Sequence, residues 1–77
     1  MNYYINTEQN SEGDYELHHE YCHHLKSISQ QKYIGMFKSD NQALTIAKKK
    51  YPSVNGCPHC SSTIYTLKNH LMGFLFY

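Results

Sequence analysis

Apolar and polar positions change period along this chain, and each change predicts an element. Tyr3-Tyr4-Ile5 is a short β-prone run. Residues 6–13 are rich in Asn, Ser, Glu and Gly and read as a loop. Tyr15-Glu16-Leu17-His18 alternates with period two, the pattern of a half-buried strand with Tyr15 and Leu17 inward and Glu16 and His18 outward. These two runs predict a hairpin with a long connection. Residues 22–32 are polar and irregular. Tyr33-Ile34-Gly35-Met36-Phe37 predicts a third strand, with Gly35 at a bulge.

The period then becomes helical. Ser39 followed by Gln42 is a capping-box pattern, and Asp40 falls in the first turn, where the helix dipole favours a negative charge. Ala43, Leu44, Ala47 and Tyr51 share one face, and Lys48-Lys49-Lys50 occupies the C-terminal end, where cations are favoured. Pro52 is the stop. The pattern predicts a helix over 40–51, with the lysines as its solvated end. Ser53-Val54-Asn55-Gly56 reads as a turn delivering the chain into Cys57-Pro58-His59-Cys60. Beyond it, Ser61 or Ser62 is a cap, Ile64, Leu67, Leu71 and Phe74 recur at helical spacing, and Gly73 is a C-terminal breaker. This predicts a second helix at about 61–72. Its apolar stripe needs cover: the Tyr3/Tyr15/Leu17 side of the sheet first, a second copy of the chain in a homodimer next. The fold class is α+β: one domain over 1–77, a two- to three-stranded antiparallel sheet and a capped helix.

Length sharpens the question of stability. Seventy-seven residues bury only about 60% of the surface that the unfolded chain exposes, so a core of this size usually needs a staple. Eight Tyr and three Phe argue for an ordered chain. Seven Lys without Arg against six acids leave a net charge of +1, which excludes a strongly basic nucleic-acid tail and an acidic solvating one. The apolar run at 71–77 is far below the ~20 residues of a membrane helix. No secretory leader is visible at the start, and three cysteines cannot all pair within one chain. The expectation is a reduced, cytoplasmic chain whose cysteines are metal ligands.

The candidate staple is zinc. Cys57-x-x-Cys60 places two thiolates on one tight turn, where they can bite a tetrahedral ion with Zn–S bonds of about 2.3 Å. A redox dithiol is the rival reading, but no βαβ context precedes the motif. The third thiol is Cys22, so a four-ligand site must recruit a histidine. His18-x-x-x-Cys22 is the natural pair, completing a Cys₃His set of His18, Cys22, Cys57 and Cys60, with His19 the alternative ligand. His23, His24, His59 and His70 read as surface residues.

The order strand, His18-x-x-x-Cys22, strand, capped Ala-containing helix and Cys57-x-x-Cys60 resembles the Ada-like metal-binding domain. The matching stretches are 13–22, 37–47 and 56–60. Asn2-Tyr3-Tyr4-Ile5-Asn6, Gly13-Asp14, His18-x-x-x-Cys22-x-x-Leu25, Gly35-x-Phe37 and Tyr51-Pro52-x-x-Asn55-Gly56-Cys57-x-x-Cys60 also resemble a family of small uncharacterised bacterial proteins. The likeness spans about 2–60 and implies one zinc ion in a small α+β fold. In the Ada domain all four ligands are cysteines, and the first accepts a methyl group from DNA phosphotriesters. The matching position here is His18, whose zinc-bound imidazole has no free lone pair for that role.

The function expected from these residues is a non-enzymatic structural zinc module that mediates a macromolecular interaction, with a protein partner or itself. Nucleic acid is the alternative partner, disfavoured by the missing arginines and small net charge. Zinc-thiolate alkyl transfer ranks lower. So does a zinc hydrolase: Glu16 and Glu20 flank His18, but no H-E-x-x-H pattern exists.

Overall fold

The computed structural model describes residues 1–65. The three predicted strands form: β1 (Asn2–Asn6), β2 (Tyr15–His19) and β3 (Gln31–Met36), the last starting two residues before the predicted run. β1 lies between the other two and pairs antiparallel with both, Ile5 opposite Leu17 on one side and Tyr4 opposite Tyr33 on the other. The bulge falls at the predicted place. Tyr3 pairs with Gly35 and Tyr4 with Tyr33, so Ile34 is the extra residue. Gly35 takes φ +143°, a backbone region that side chains disfavour. The polar connection before β3 contains a short 3-10 helix, η1 (His23–Ser27).

The predicted helix is α1 (Asp40–Ala47), shorter than 40–51. Ser39 Oγ accepts the Gln42 amide at 3.2 Å, while the Gln42 side chain reaches back to Lys38 N rather than to the cap itself. After Ala47 the chain tightens into i→i+3 bonds, Lys49 N to Ile46 O and Lys50 N to Ala47 O, as helix ends commonly do. The predicted face holds. Ala43 and Ala47 are buried, and Leu44 and Tyr51 pack against them.

The main correction concerns residues 53–56. They do not merely turn: Val54–Gly56 is a fourth strand, β4, parallel to β2, with Tyr15 opposite Val54 and Leu17 opposite Gly56. The sheet is therefore four-stranded and mixed, in the order β3-β1-β2-β4. Three residues rich in turn formers carry no periodicity, so the strand exists only because β2 offers its edge. Gly56 is required there by space. A Cβ would fall 2.5 Å from Ile64 Cγ1 and 2.7 Å from Ser61 O. β3 and β4 run in the same direction at opposite edges, with α1 connecting them.

Tyr3, Ile5, Leu17, Ala43, Ala47, Val54 and Ile64 make one buried cluster between sheet and helix. Asp40 ties its rim. Tyr3 Oη donates to Asp40 Oδ1 at 2.5 Å and Thr63 Oγ1 to Oδ2 at 3.1 Å, so one carboxylate joins β1, α1 and the segment after Cys60. Burial, reinforced by Asp40, pushes the Tyr3 phenol well above its ordinary range. Of the predicted second helix, residues 62–64 form a turn, with Ile64 N bonded to Ser61 O. Ile64 enters the core beside Tyr3 and Leu17, on the side the stripe predicts. Leu67, Leu71 and Phe74 lie outside the described residues, as does the dimer contact expected of 71–77. No described helix is long and apolar enough to cross a membrane.

Candidate metal centre

Two arms meet at the C-terminal end of β2. The first is local. Cys22 N bonds to His19 O at 3.1 Å, closing a turn straight off the strand, and Cys22 O accepts Leu25 N at the start of η1. This folds the Cys22 thiol back onto His18, with Sγ 3.4 Å from His18 Nδ1. The second arm arrives through β4. Cys57 N bonds to Leu17 O at 3.0 Å, continuing the ladder, so β2 itself positions the first thiol of the Cys-x-x-Cys. Pro58 and His59 form the turn, and Ser61 N closes it onto Cys57 O at 2.8 Å.

The result is one cluster. His18 Nδ1 or Nε2 and the sulfurs of Cys22, Cys57 and Cys60 all lie within 4.8 Å of one another. Cys22 and Cys57 sulfurs are 4.0 Å apart, and Cys60 Sγ is 3.9 Å from His18 Nδ1. Zn–S bonds of about 2.3 Å and a Zn–N bond of about 2.0–2.1 Å at tetrahedral angles make edges of roughly 3.8 Å (S···S) and 3.5 Å (S···N). The three contacts match those edges within a few tenths of an ångström. They are far too long for a disulfide at about 2.0 Å, and all three cysteines are free. The four residues are thus compatible with one zinc site.

Electrostatics point the same way. His18 is 1% exposed, and burial lowers its pKa, with Glu16 opposing, so the imidazole is held in the neutral form that ligates metals. Burial pushes the Cys57 thiol up, against hydrogen bonds from the Cys60 and His59 backbone. It pushes Cys60 up to about 12, against a hydrogen bond from the His19 backbone. A redox dithiol needs a depressed thiol pKa, so these shifts oppose the rival reading. The backbone donors aimed at sulfur are in place to stabilise thiolates once a cation neutralises them.

The period-two expectation for His18 holds in direction but not in exposure. His18 does face away from Leu17's apolar cluster, yet it is buried because the Cys22 and Cys60 sulfurs lie against its ring. His19, the alternative ligand, is outside the cluster; its Nδ1 accepts Tyr21 N at 3.1 Å. His23, His24 and His59 are exposed as expected, and the rings of His24 and His59 meet at a tilt with centroids 4.4 Å apart. His70 lies outside the described residues. Glu20, weighed as a hydrolase base, accepts the Asn2 backbone amide. Sequence reading missed Ser61, fully buried with Oγ 3.6 Å from Cys60 Sγ. It also missed the relation of Glu16 to His18, whose signal was the two-residue spacing that puts both on one strand face. Protein-family models, curated proteins and solved structures give no match to this chain.

Proposed function

We propose that the chain is a small structural zinc module. His18, through Nδ1, and the thiolates of Cys22, Cys57 and Cys60 would hold one Zn²⁺. The supporting observation is the convergence of these four donors within 4.8 Å, three of them buried. An ion there supplies a cross-link between the turn after β2 and the turn after β4, two places far apart in sequence. Four protein ligands fill a tetrahedral zinc and leave no position for water, which favours a structural over a hydrolytic role.

The Ada-like relationship belongs to this proposal, on the order of ligands along the chain. Alkyl transfer fits less well, because the position matching the methyl acceptor is His18. Three unpaired thiols fit a reducing, cytoplasmic setting. The module's task would be docking a macromolecule, a protein or a second copy of the chain. One observation favours nucleic acid as the alternative. A cleft of about 290 Å³ between β3 and the end of α1 is lined by Lys32, Lys49 and Lys50 together with Tyr33 and Tyr51. Retention on single-stranded DNA or RNA at low salt, lost by about 200 mM, would support that alternative.

Elemental analysis tests the zinc reading. Purified protein should carry one equivalent of zinc, and cobalt substitution should give the intense visible bands of a tetrahedral, thiolate-rich site. A folded chain that takes up no metal, or a weak octahedral cobalt spectrum, would contradict it.

A further inference from the structure

Two observations beside the donor cluster belong together. His18 Nε2 is buried and has no hydrogen-bond partner among the described residues. The nearest ionic group facing it is the Glu16 carboxylate, with Oε1 at 3.6 Å. That separation is a few tenths of an ångström longer than a hydrogen bond. Glu16 is itself held. Its other oxygen, Oε2, accepts Asn10 Nδ2 at 3.2 Å. Asn10 is in turn the hub of the loop before β2: its Oδ1 accepts the amides of Glu12 and Asp14, and its backbone bonds to Gly13 and Asp14. Gly13, at φ +82°, makes the turn that this hub needs.

The chemistry of the imidazole connects these facts. If Nδ1 binds a cation, the ring's single proton must sit on Nε2, and a buried N–H without an acceptor costs about 1–3 kcal/mol. Metal-bound histidines usually send that N–H to a carboxylate or carbonyl, which sets the tautomer and makes the ligating nitrogen more basic.

Building on the zinc reading above, we propose that Glu16 is the positioning residue of the metal centre: its Oε1 accepts the His18 Nε2–H, and Asn10 locks the carboxylate in place. The loop between β1 and β2 thereby acts on a metal site to which it contributes no ligand. The alternation of β2 makes this arrangement, since residues two apart on one strand share a face. Glu16 touches no metal and acts only through His18.

Zinc affinity, by competition with a chromophoric chelator, and the ¹⁵N and ¹H signals of the His18 ring in the zinc-loaded full chain test the proposal. Wild type should show Nδ1 ligated and a slowly exchanging Nε2–H. Glu16→Ala should weaken zinc binding about 10–100-fold and lose that slow proton. Glu16→Gln keeps an acceptor oxygen, so it should retain the proton signal, shifted upfield, with a smaller loss of affinity. It also carries the test if the alanine variant fails to fold. Asn10→Ala should fall between wild type and Glu16→Ala. Wild type that binds zinc through His18, with Glu16 variants equal in affinity and unchanged in the Nε2–H signal, would overturn this inference alone. Wild type that binds no zinc would overturn the zinc reading and this inference with it.

Discussion

Leu17 and His18 are adjacent in the chain and equally hidden, at 0% and 1% exposure, yet they belong to regions held by different forces. Leu17 joins Tyr3, Ile5, Ala43, Ala47, Val54 and Ile64, and removal of apolar surface from water favours that cluster. His18 joins three thiols, two of them buried. Burial works against this second group. Polar atoms taken out of water cost free energy unless they are paired, and a polar cluster that is only partly satisfied is worse than an apolar one. One strand thus serves two cores of opposite character: burial stabilises the apolar one and costs free energy in the polar one until its donors are paired.

The largest expected effect follows from that asymmetry. Complete chelation should unfold the chain, because zinc binding contributes about 10–16 kcal/mol of apparent free energy in small zinc domains and the apolar cluster alone is small. Loss of chemical-shift dispersion and of near-ultraviolet circular dichroism, both restored by one equivalent of zinc, is the expected result. A chelated chain with native dispersion would put the two regions on equal footing.

Single substitutions should divide along the same line. Cys22→Ser and Cys57→Ser should behave like the chelated protein and stop responding to zinc. Leu17→Ala should cost about 2–5 kcal/mol and still bind one zinc ion, since it empties the apolar side without touching a donor. Melting curves with and without zinc separate the two behaviours.

The regions should also differ in their response to acid. In the unfolded, metal-free chain cysteine thiols are protonated at neutral pH, and burial in the fold pushes Cys57 and Cys60 higher still. His18, its pKa lowered, is already neutral. Binding must therefore expel protons from thiols and none from His18 at pH 7, so affinity rises with pH and falls as pH drops. With three thiols the slope approaches about three decades per pH unit. Zinc titrations at pH 6.5, 7.0 and 7.5 measure the slope. A flat profile would mean that the thiols are not ligands.

The smallest effects lie far from both cores. Ser39→Ala removes the cap of α1 and should cost about 1 kcal/mol by thermal melting, with zinc affinity unchanged. His59→Ala removes an exposed ring beside a ligand turn and should shift neither quantity measurably.

The apolar region was readable in the sequence wherever a period ran long enough. β1 follows from a β-prone run, β2 from alternation, α1 from helical spacing and the Ser39 cap, and the Gly35 bulge from a lone glycine in an apolar run. β4 was not readable, because Val54-Asn55-Gly56 is too short for any period and its pairing depends on the free edge of β2. The last turn of α1 was overestimated because Lys48-Lys49-Lys50 suits a helix end as well as the i→i+3 turns that follow it. That the three thiols would converge with a histidine was readable from their count, and His18 was favoured by its place four residues before Cys22, with His19 left open. The choice of His18 over His19 turned on the tight turn from His19 to Cys22, which folds Sγ onto the His18 ring. Glu16 was read only as a base flanking His18, since strand geometry that seats a carboxylate on a buried ring nitrogen becomes visible once the fold is built.

Zinc K-edge X-ray absorption on the purified, zinc-loaded chain reads the ligand set itself. The account predicts a first shell of three sulfurs at about 2.3 Å and one nitrogen at about 2.0–2.1 Å, with the outer-shell scattering of a single imidazole that disappears in His18→Ala. A shell dominated by oxygen, two or more imidazoles, or a spectrum unchanged by His18→Ala would contradict it.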